Sequence, residues 1–254
     1  MRRSIFLFVF CVFASAPTFS QELTLNSGER QIQLIELYTS EGCSSCPPAD
    51  RWLSRLKTHD RLWKDFVPVA FHVGYWDYIG WKDRFAKHEY AQRQRRYAAE
   101  FNESTVYTPG VRLAGQEWRN WFRAGSEIPE APAKALPGNL SLNISQGGSF
   151  KASFSNDLGS EFNSAQLTVA ILGQDLNTQV ERGENRGRSL DHDFVVLANT
   201  TLSSQIKGQE FTWAGTLPSP SVKAGEYAVA AWVSVGGSQK PIQVLGGPLT
   251  EDLL

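Results

Sequence analysis

Two cysteines separated by two residues, Cys43-Ser-Ser-Cys46, stand between an apolar stretch and a Pro-Pro pair, and this arrangement constrains the fold more than any other feature. Upstream, Gln31-Ile-Gln-Leu-Ile-Glu-Leu-Tyr38 is rich in strand formers and partly alternating, which predicts a central β-strand. Downstream, Pro47-Pro48 precedes a run in which Trp52, Leu53 and Leu56 recur at helical spacing. Prolines suit a first helical turn, because the amide hydrogens there have no intrahelical acceptor. The cysteines are therefore predicted at a strand-to-helix turn. Phe66-Val-Pro-Val-Ala-Phe-His-Val73 supplies a second strand, parallel to the first through the helix in a right-handed β-α-β unit. Phe85 to Phe101 reads as a second amphipathic helix, and Ser104-Thr-Val-Tyr-Thr-Pro109 leads into a hairpin turning near Gly115.

The first twenty residues stand apart. Arg2-Arg3 is followed by the apolar run Ile5 to Ala14 and then by small residues, which reads as a secretory signal peptide over 1–20. The run is about half of the ~20 residues that a bilayer-spanning helix needs. Cleavage after Ser20, or alternatively after Ala16, predicts a periplasmic or secreted product with no membrane anchor. Cys11 leaves with the signal, so Cys43 and Cys46 are the only cysteines of the mature chain. A bond across two residues closes a tiny loop and gains little from loop entropy, so a chemical use leads, with a purely structural pair as the alternative. A metal site would need two more Cys or His ligands, and neither a second C-x-x-C nor an H-x-x-x-H is present, so no metal and no cofactor are expected. With 25 basic against 26 acidic residues there is no positive excess for phosphates, which argues against a nucleic-acid partner.

A helix start places amide hydrogens and partial positive charge beside Cys43, which predicts an exposed thiol with a depressed pKa. Such a thiolate attacks a disulfide, and Cys46 then resolves the mixed disulfide. The expected partners are protein thiols or disulfides and a redox-recycling protein. The competing class is a non-enzymatic envelope binding protein whose C-x-x-C bond is structural. Trp76, Tyr78 and Trp81, within Tyr75-Trp-Asp-Tyr-Ile-Gly-Trp81, are candidate substrate-groove residues, the alternative being a satellite core under a long loop. His72 reads as a buried, hydrogen-bonded residue at a strand end.

Three segments carry a family resemblance: Leu37 to Asp50, His72 to Asp83, and Val106-Tyr-Thr-Pro109. Together they resemble the exported thioredoxin-like family known as domain of unknown function 1223. The resemblance implies that Pro109 is cis and faces the cysteines with the Thr108 backbone beside Cys43, whereas a trans proline opening an edge strand is the plainer reading. It also implies a buried acid that aids the resolving cysteine. Glu36 is the candidate, one position off the usual spacing, and a surface or strand-edge glutamate is the alternative.

From 126 to 138 proline, alanine and glutamate dominate, which reads as a boundary. Beyond it, Leu140–Ser145, Phe150–Phe154, Gln166–Leu172, Phe194–Asn199, Glu210–Trp213, Tyr227–Val235 and Ile242–Leu245 are predicted strands separated by Gly, Ser, Asn and Pro turns. The expected fold class is thus an α/β thioredoxin-like domain over 30–128 followed by an all-β, Ig-like sandwich over 138–250. Within the latter, Glu181 to Asp193 gathers seven charges of both signs plus His192, either as a solvated connection or as a loop packed near the cysteines.

Overall fold

The computed structural model describes residues 22–125, 127–156, 164–207 and 210–254, so the signal-peptide expectation for 1–20 lies outside the described residues. The strands are β1 (Glu22–Asn26), β2 (Gln33–Thr39), β3 (Phe66–His72), β4 (Gly110–Leu113), β5 (Gln116–Glu117), β6 (Asn139–Ser145), β7 (Ser149–Ser155), β8 (Ala165–Gln174), β9 (Leu176–Gln179), β10 (Ser189–His192), β11 (Val195–Ser203), β12 (Gln205–Lys207), β13 (Glu210–Thr216), β14 (Glu226–Val235) and β15 (Gln243–Leu249). The helices are α1 (Pro47–Ser54), α2 (His88–Glu100) and the single-turn α3 (Trp121–Ala124).

These strands form one eight-stranded sheet in the order β15-β14-β8-β11-β3-β2-β4-β5, a five-stranded sheet β1-β6-β7-β13-β12, and the hairpin β9–β10. The larger sheet is antiparallel except at its centre, where β3 runs parallel to both β2 and β11. It draws four strands from residues before 138 and four from residues after it. The expected α/β thioredoxin-like domain followed by an Ig-like sandwich is therefore corrected: the described residues are 42% strand and 17% helix, with one mixed sheet running through both segments. The architecture is β-rich and sandwich-like.

Burial explains why the strands merge. β6 and β7 alternate buried with accessible positions, as outer strands with one wet face must. β8 and β14 are instead buried along nearly their whole length. Leu167, Val169 and Ile171 of β8 pack with Leu140, Leu142 and Phe154 of the five-stranded sheet. Ala170 and Leu172 face the opposite way, into a core shared with β2, β3 and α1. A strand apolar on both sides needs a layer on each, and a free-standing sandwich would leave one of them wet.

α2 is fastened across the seam. The Tyr90 hydroxyl donates to Val196 O at 2.9 Å, and Lys87 Nζ donates to Leu197 O at 2.8 Å. Arg93, also on α2, donates through Nε to the fully buried Glu36 at 2.8 Å and through Nη2 to the Tyr97 hydroxyl at 3.2 Å. Its guanidinium lies over the rings of Phe71, Tyr97 and Trp232, spanning β3 and β14. Removing only the cation leaves a buried carboxylate uncompensated, so Arg93→Met should cost about 3–5 kcal/mol in urea unfolding. The double variant Arg93→Met/Glu36→Gln should recover most of that loss. Equal stability of the wild type and the single variant would remove this pair from the account of the fold.

Candidate functional site

The cysteine turn follows β2 directly. Cys43 N donates to Ser40 O at 3.1 Å, Cys46 N to Cys43 O at 3.2 Å, and Ala49 N to Cys46 O at 2.8 Å, so Cys46 caps α1 and Pro47-Pro48 occupy its first turn without losing a hydrogen bond. Gly42 admits a close neighbour here: a Cβ would lie 3.0 Å from Trp76 Cβ and 3.3 Å from Trp76 O. The Thr108–Pro109 bond is cis, and Thr108 lies against the turn, with its carbonyl oxygen 3.8 Å from Cys43 Sγ.

Both thiols are free. The expectation of an open sulfur is corrected, because Cys43 is only 2% exposed and the serines between the cysteines form the accessible face of the turn. Cover comes from Thr108 and from the Ser45 hydroxyl 3.2 Å from Sγ. A hydrogen bond from Cys46 lowers the Cys43 pKa to about 6 against the opposing effect of burial, with the Ser45 and Thr108 hydroxyls assisting. Trp76 Nε1 donates to Thr108 Oγ1 at 2.7 Å, which leaves the Thr108 hydroxyl hydrogen for the sulfur. Burial pushes the fully enclosed Cys46 far in the other direction, reinforced by its bond to Cys43 and by the Asp50 carboxylate. The pair is thus split into a thiolate at neutral pH and a firmly protonated thiol.

Beneath the turn lies a buried cluster of acids and histidines. Asp50, one turn along α1 from Cys46, accepts from Thr39 Oγ1 at 2.8 Å, and burial raises its pKa against the pull of His192 and His72. His72 Nδ1 sits 2.7 Å from Asp83 Oδ2, and its ring meets that of His192 edge-on at 4.9 Å. Burial disfavours the charged form of His72, but Asp83 outweighs it and the pKa rises. Asp83 also accepts from Glu41 N at 2.9 Å, while His192 Nε2 stands 3.4 Å from Glu41 Oε1. Among the described residues, no group of three or more His, Cys, Asp or Glu side chains is arranged to hold a metal ion.

His192 arrives on the β9–β10 hairpin, the charged segment singled out in the sequence. The hairpin lies along α1. Its base is tied by Lys57 Nζ to Asp175 at 2.6 Å and to Asp193 at 3.0 Å. Its tip meets the cysteine turn, where Asn185 Nδ2 donates to Glu41 O at 2.8 Å and to Cys43 O at 2.9 Å, and Ser44 N donates to Glu184 Oε2 at 3.2 Å. Of the two readings open for this segment, packing beside the cysteines is the one observed.

The remaining expected site residues fall in different places. Trp76 roofs Gly42 and Thr108, and Tyr78, 79% exposed, stacks on it at 6.5 Å. Trp81 donates to Glu41 Oε2 at 2.7 Å and packs against Gly183, so it belongs to the hairpin contact. Glu36 is engaged by Arg93, Tyr97 and Tyr38 and by neither cysteine, which corrects its assignment as the acid serving Cys46. Asp50 is the carboxylate whose charge acts on Cys46. The sequence carried its signal, four residues after Cys46 on a helix, whereas Asn185 and His192 reach the site through pairing of distant strands.

A β-rich protein with a C-x-x-C turn and a cis proline beside it defines the class. The profile of a family described as protein of unknown function (DUF1223) matches residues 34–234, and the chain belongs to that family. It is similar to the crystal structure of a protein from Agrobacterium tumefaciens, at 23% identity with a TM-score of 0.54 over 89% of this chain and 98% of that one. It is also similar to HBP35 of Porphyromonas gingivalis, at 15% identity with a TM-score of 0.55 over 89% of this chain and 76% of that one. These likenesses concern the fold alone. No curated protein matches the chain.

The split between the thiols makes a direct prediction. The rate of Cys43 alkylation should rise with pH through a midpoint near 6 and level off above it, because the thiolate is the reacting form. In Cys46→Ala the main stabilising hydrogen bond is lost and the midpoint should move up. A wild-type midpoint at the ordinary thiol value would contradict the geometry.

Proposed function

We propose that the chain is an exported thiol–disulfide exchange protein acting on protein thiols or disulfides. The observation that carries this reading is the pairing of a depressed Cys43 with a buried, protonated Cys46 at a helix N-terminus. Hydrogen bonds to the Cys43 sulfur from Cys46, Ser45 and Thr108 favour a thiolate, the reactive form. Arg2-Arg3 and the apolar run after them support export. Among the described residues no helix is long and apolar enough to cross a membrane.

In the reductive direction Cys43 Sγ⁻ attacks one sulfur of a substrate disulfide. The Cys43–substrate S–S bond forms, the original S–S bond breaks, and the departing sulfur leaves as a thiolate that takes a proton from water. Cys46 then gives its proton to Asp50, whose carboxyl burial makes a better proton acceptor than a solvated one, and attacks Cys43 Sγ. The second substrate sulfur leaves, and the two electrons gained by the substrate are balanced by the Cys43–Cys46 bond. Oxidation of a substrate dithiol is the reverse sequence, and a recycling partner resets the pair. Trp76 and Tyr78 border the turn and are the surface on which a polypeptide substrate would rest.

The near-complete burial of Cys43 favours a second reading, a structural pair in an envelope binding protein. The reduction potential separates the two. Catalytic pairs lie between about −120 and −270 mV, and structural disulfides below about −300 mV. In cells, Cys46→Ala should accumulate mixed disulfides through Cys43, and Asp50→Asn should slow resolution with little effect on the first attack. A potential below the catalytic range together with no trapped species would overturn the exchange reading.

A further inference from the structure

We propose that the tip of the β9–β10 hairpin, Gly183 to Asn185, is a built-in cap on the cysteine turn, and that a polypeptide entering the site must displace it. This rests on the exchange reading above and adds its regulation. Three hydrogen bonds join segments about 140 residues apart. Asn185 is wholly buried, and its side chain is fully used: the amide nitrogen donates to the carbonyls of Glu41 and Cys43, and Oδ1 accepts from Arg188 Nη1 at 2.9 Å. Such a contact is a fitted joint, unlike a solvated charged loop. Gly183, left-handed at φ +74°, lets the tip press on Trp81, where a Cβ would come within 3.2 Å of Trp81 Cβ.

The chemistry of the contact matches what it excludes. Two carbonyls and one amide of the turn are satisfied by two side-chain N–H donors and one carboxylate oxygen, the donor and acceptor types that a peptide main chain offers. Lifting the tip would free these groups beside Cys43 for an incoming polypeptide. Glu184 adds a charge effect: its carboxylate sits on the amide of Ser44, the residue after Cys43, where a negative charge opposes a thiolate or an anionic intermediate. The hairpin base is held by the two Lys57 ion pairs, whereas the tip is held by these three hydrogen bonds and the Gly183–Trp81 contact, so the tip can open without the base leaving its place beside α1.

The test follows Cys43 carboxamidomethylation by iodoacetamide in the reduced full chain at pH 7.5, mapped by mass spectrometry. Asn185→Ala should react roughly tenfold faster than the wild type, as expected for losing two hydrogen bonds of ordinary net strength that oppose local opening. Glu184→Ala, which keeps Asn185 in place, should be about twofold faster. Unchanged or slower alkylation in both variants would overturn the cap, and if Asn185→Ala fails to fold, Glu184→Ala alone decides by the same criterion. The two proposals fail separately. Faster alkylation with no exchange against a peptide disulfide in any form removes the exchange reading and keeps the cap. Exchange by the wild type with equal alkylation rates does the opposite.

Discussion

β11 lies parallel to β3, with Val195 opposite Ala70 and Ala70 N donating to Phe194 O at 2.8 Å, and most of the architecture depends on this narrow seam. It joins the segment that carries the cysteines to the segment that forms the sandwich, so that one sheet serves two cores. The seam also decides where the chain between β8 and β11 must go. Asp175 and Phe194, both with positive φ, turn the chain out of the sheet and back into it, and the β9–β10 hairpin between them is laid along α1 up to the cysteine turn. The capping contact and the His192 contribution to the buried cluster are consequences of sheet topology.

The electrostatics of the site rest on enclosure. Two thiols on one turn would titrate alike in water, but here one is the hydrogen-bond acceptor and the other the buried donor, so the protons are shared unequally. Asp50, Glu41, Asp83, His72 and His192 lie below them, all buried. Part of the cost of burying these groups is offset by the His72–Asp83 pair and by Thr39, Trp81 and backbone amides that donate into the cluster.

Much of the local structure was legible. The strand before the cysteines, the proline-started helix, the parallel β3 and the alternating β6 and β7 each have a period or a stop signal within ten residues. The fold class differs from the expected one for an identifiable reason: Val169 to Leu172 and Ala228 to Val233 are continuously apolar, which signals burial on both faces, and a sandwich exposed on one side requires alternation. β9 and β10 are four residues each among charges, too short for a period to register, and β1 lies beyond the stretch assigned to any domain. That the cysteines lie beside Thr108 and Pro109 is what the family resemblance implied, since each belongs to a short motif that carries it. Asn185 carries no such mark, since its role exists only once β11 has found β3.

Lys57, in the single turn that follows α1, holds the foot of the hairpin through two aspartates, and that gives the hairpin the mechanics of a lever. Each arm is four residues of strand, about 13 Å at the usual rise, so a pivot of some 20° at the foot would raise the far end by about 5 Å, roughly the spacing of one strand. A swing of that size requires no rearrangement of the sheet, and the distance travelled is enough to admit a single extended chain.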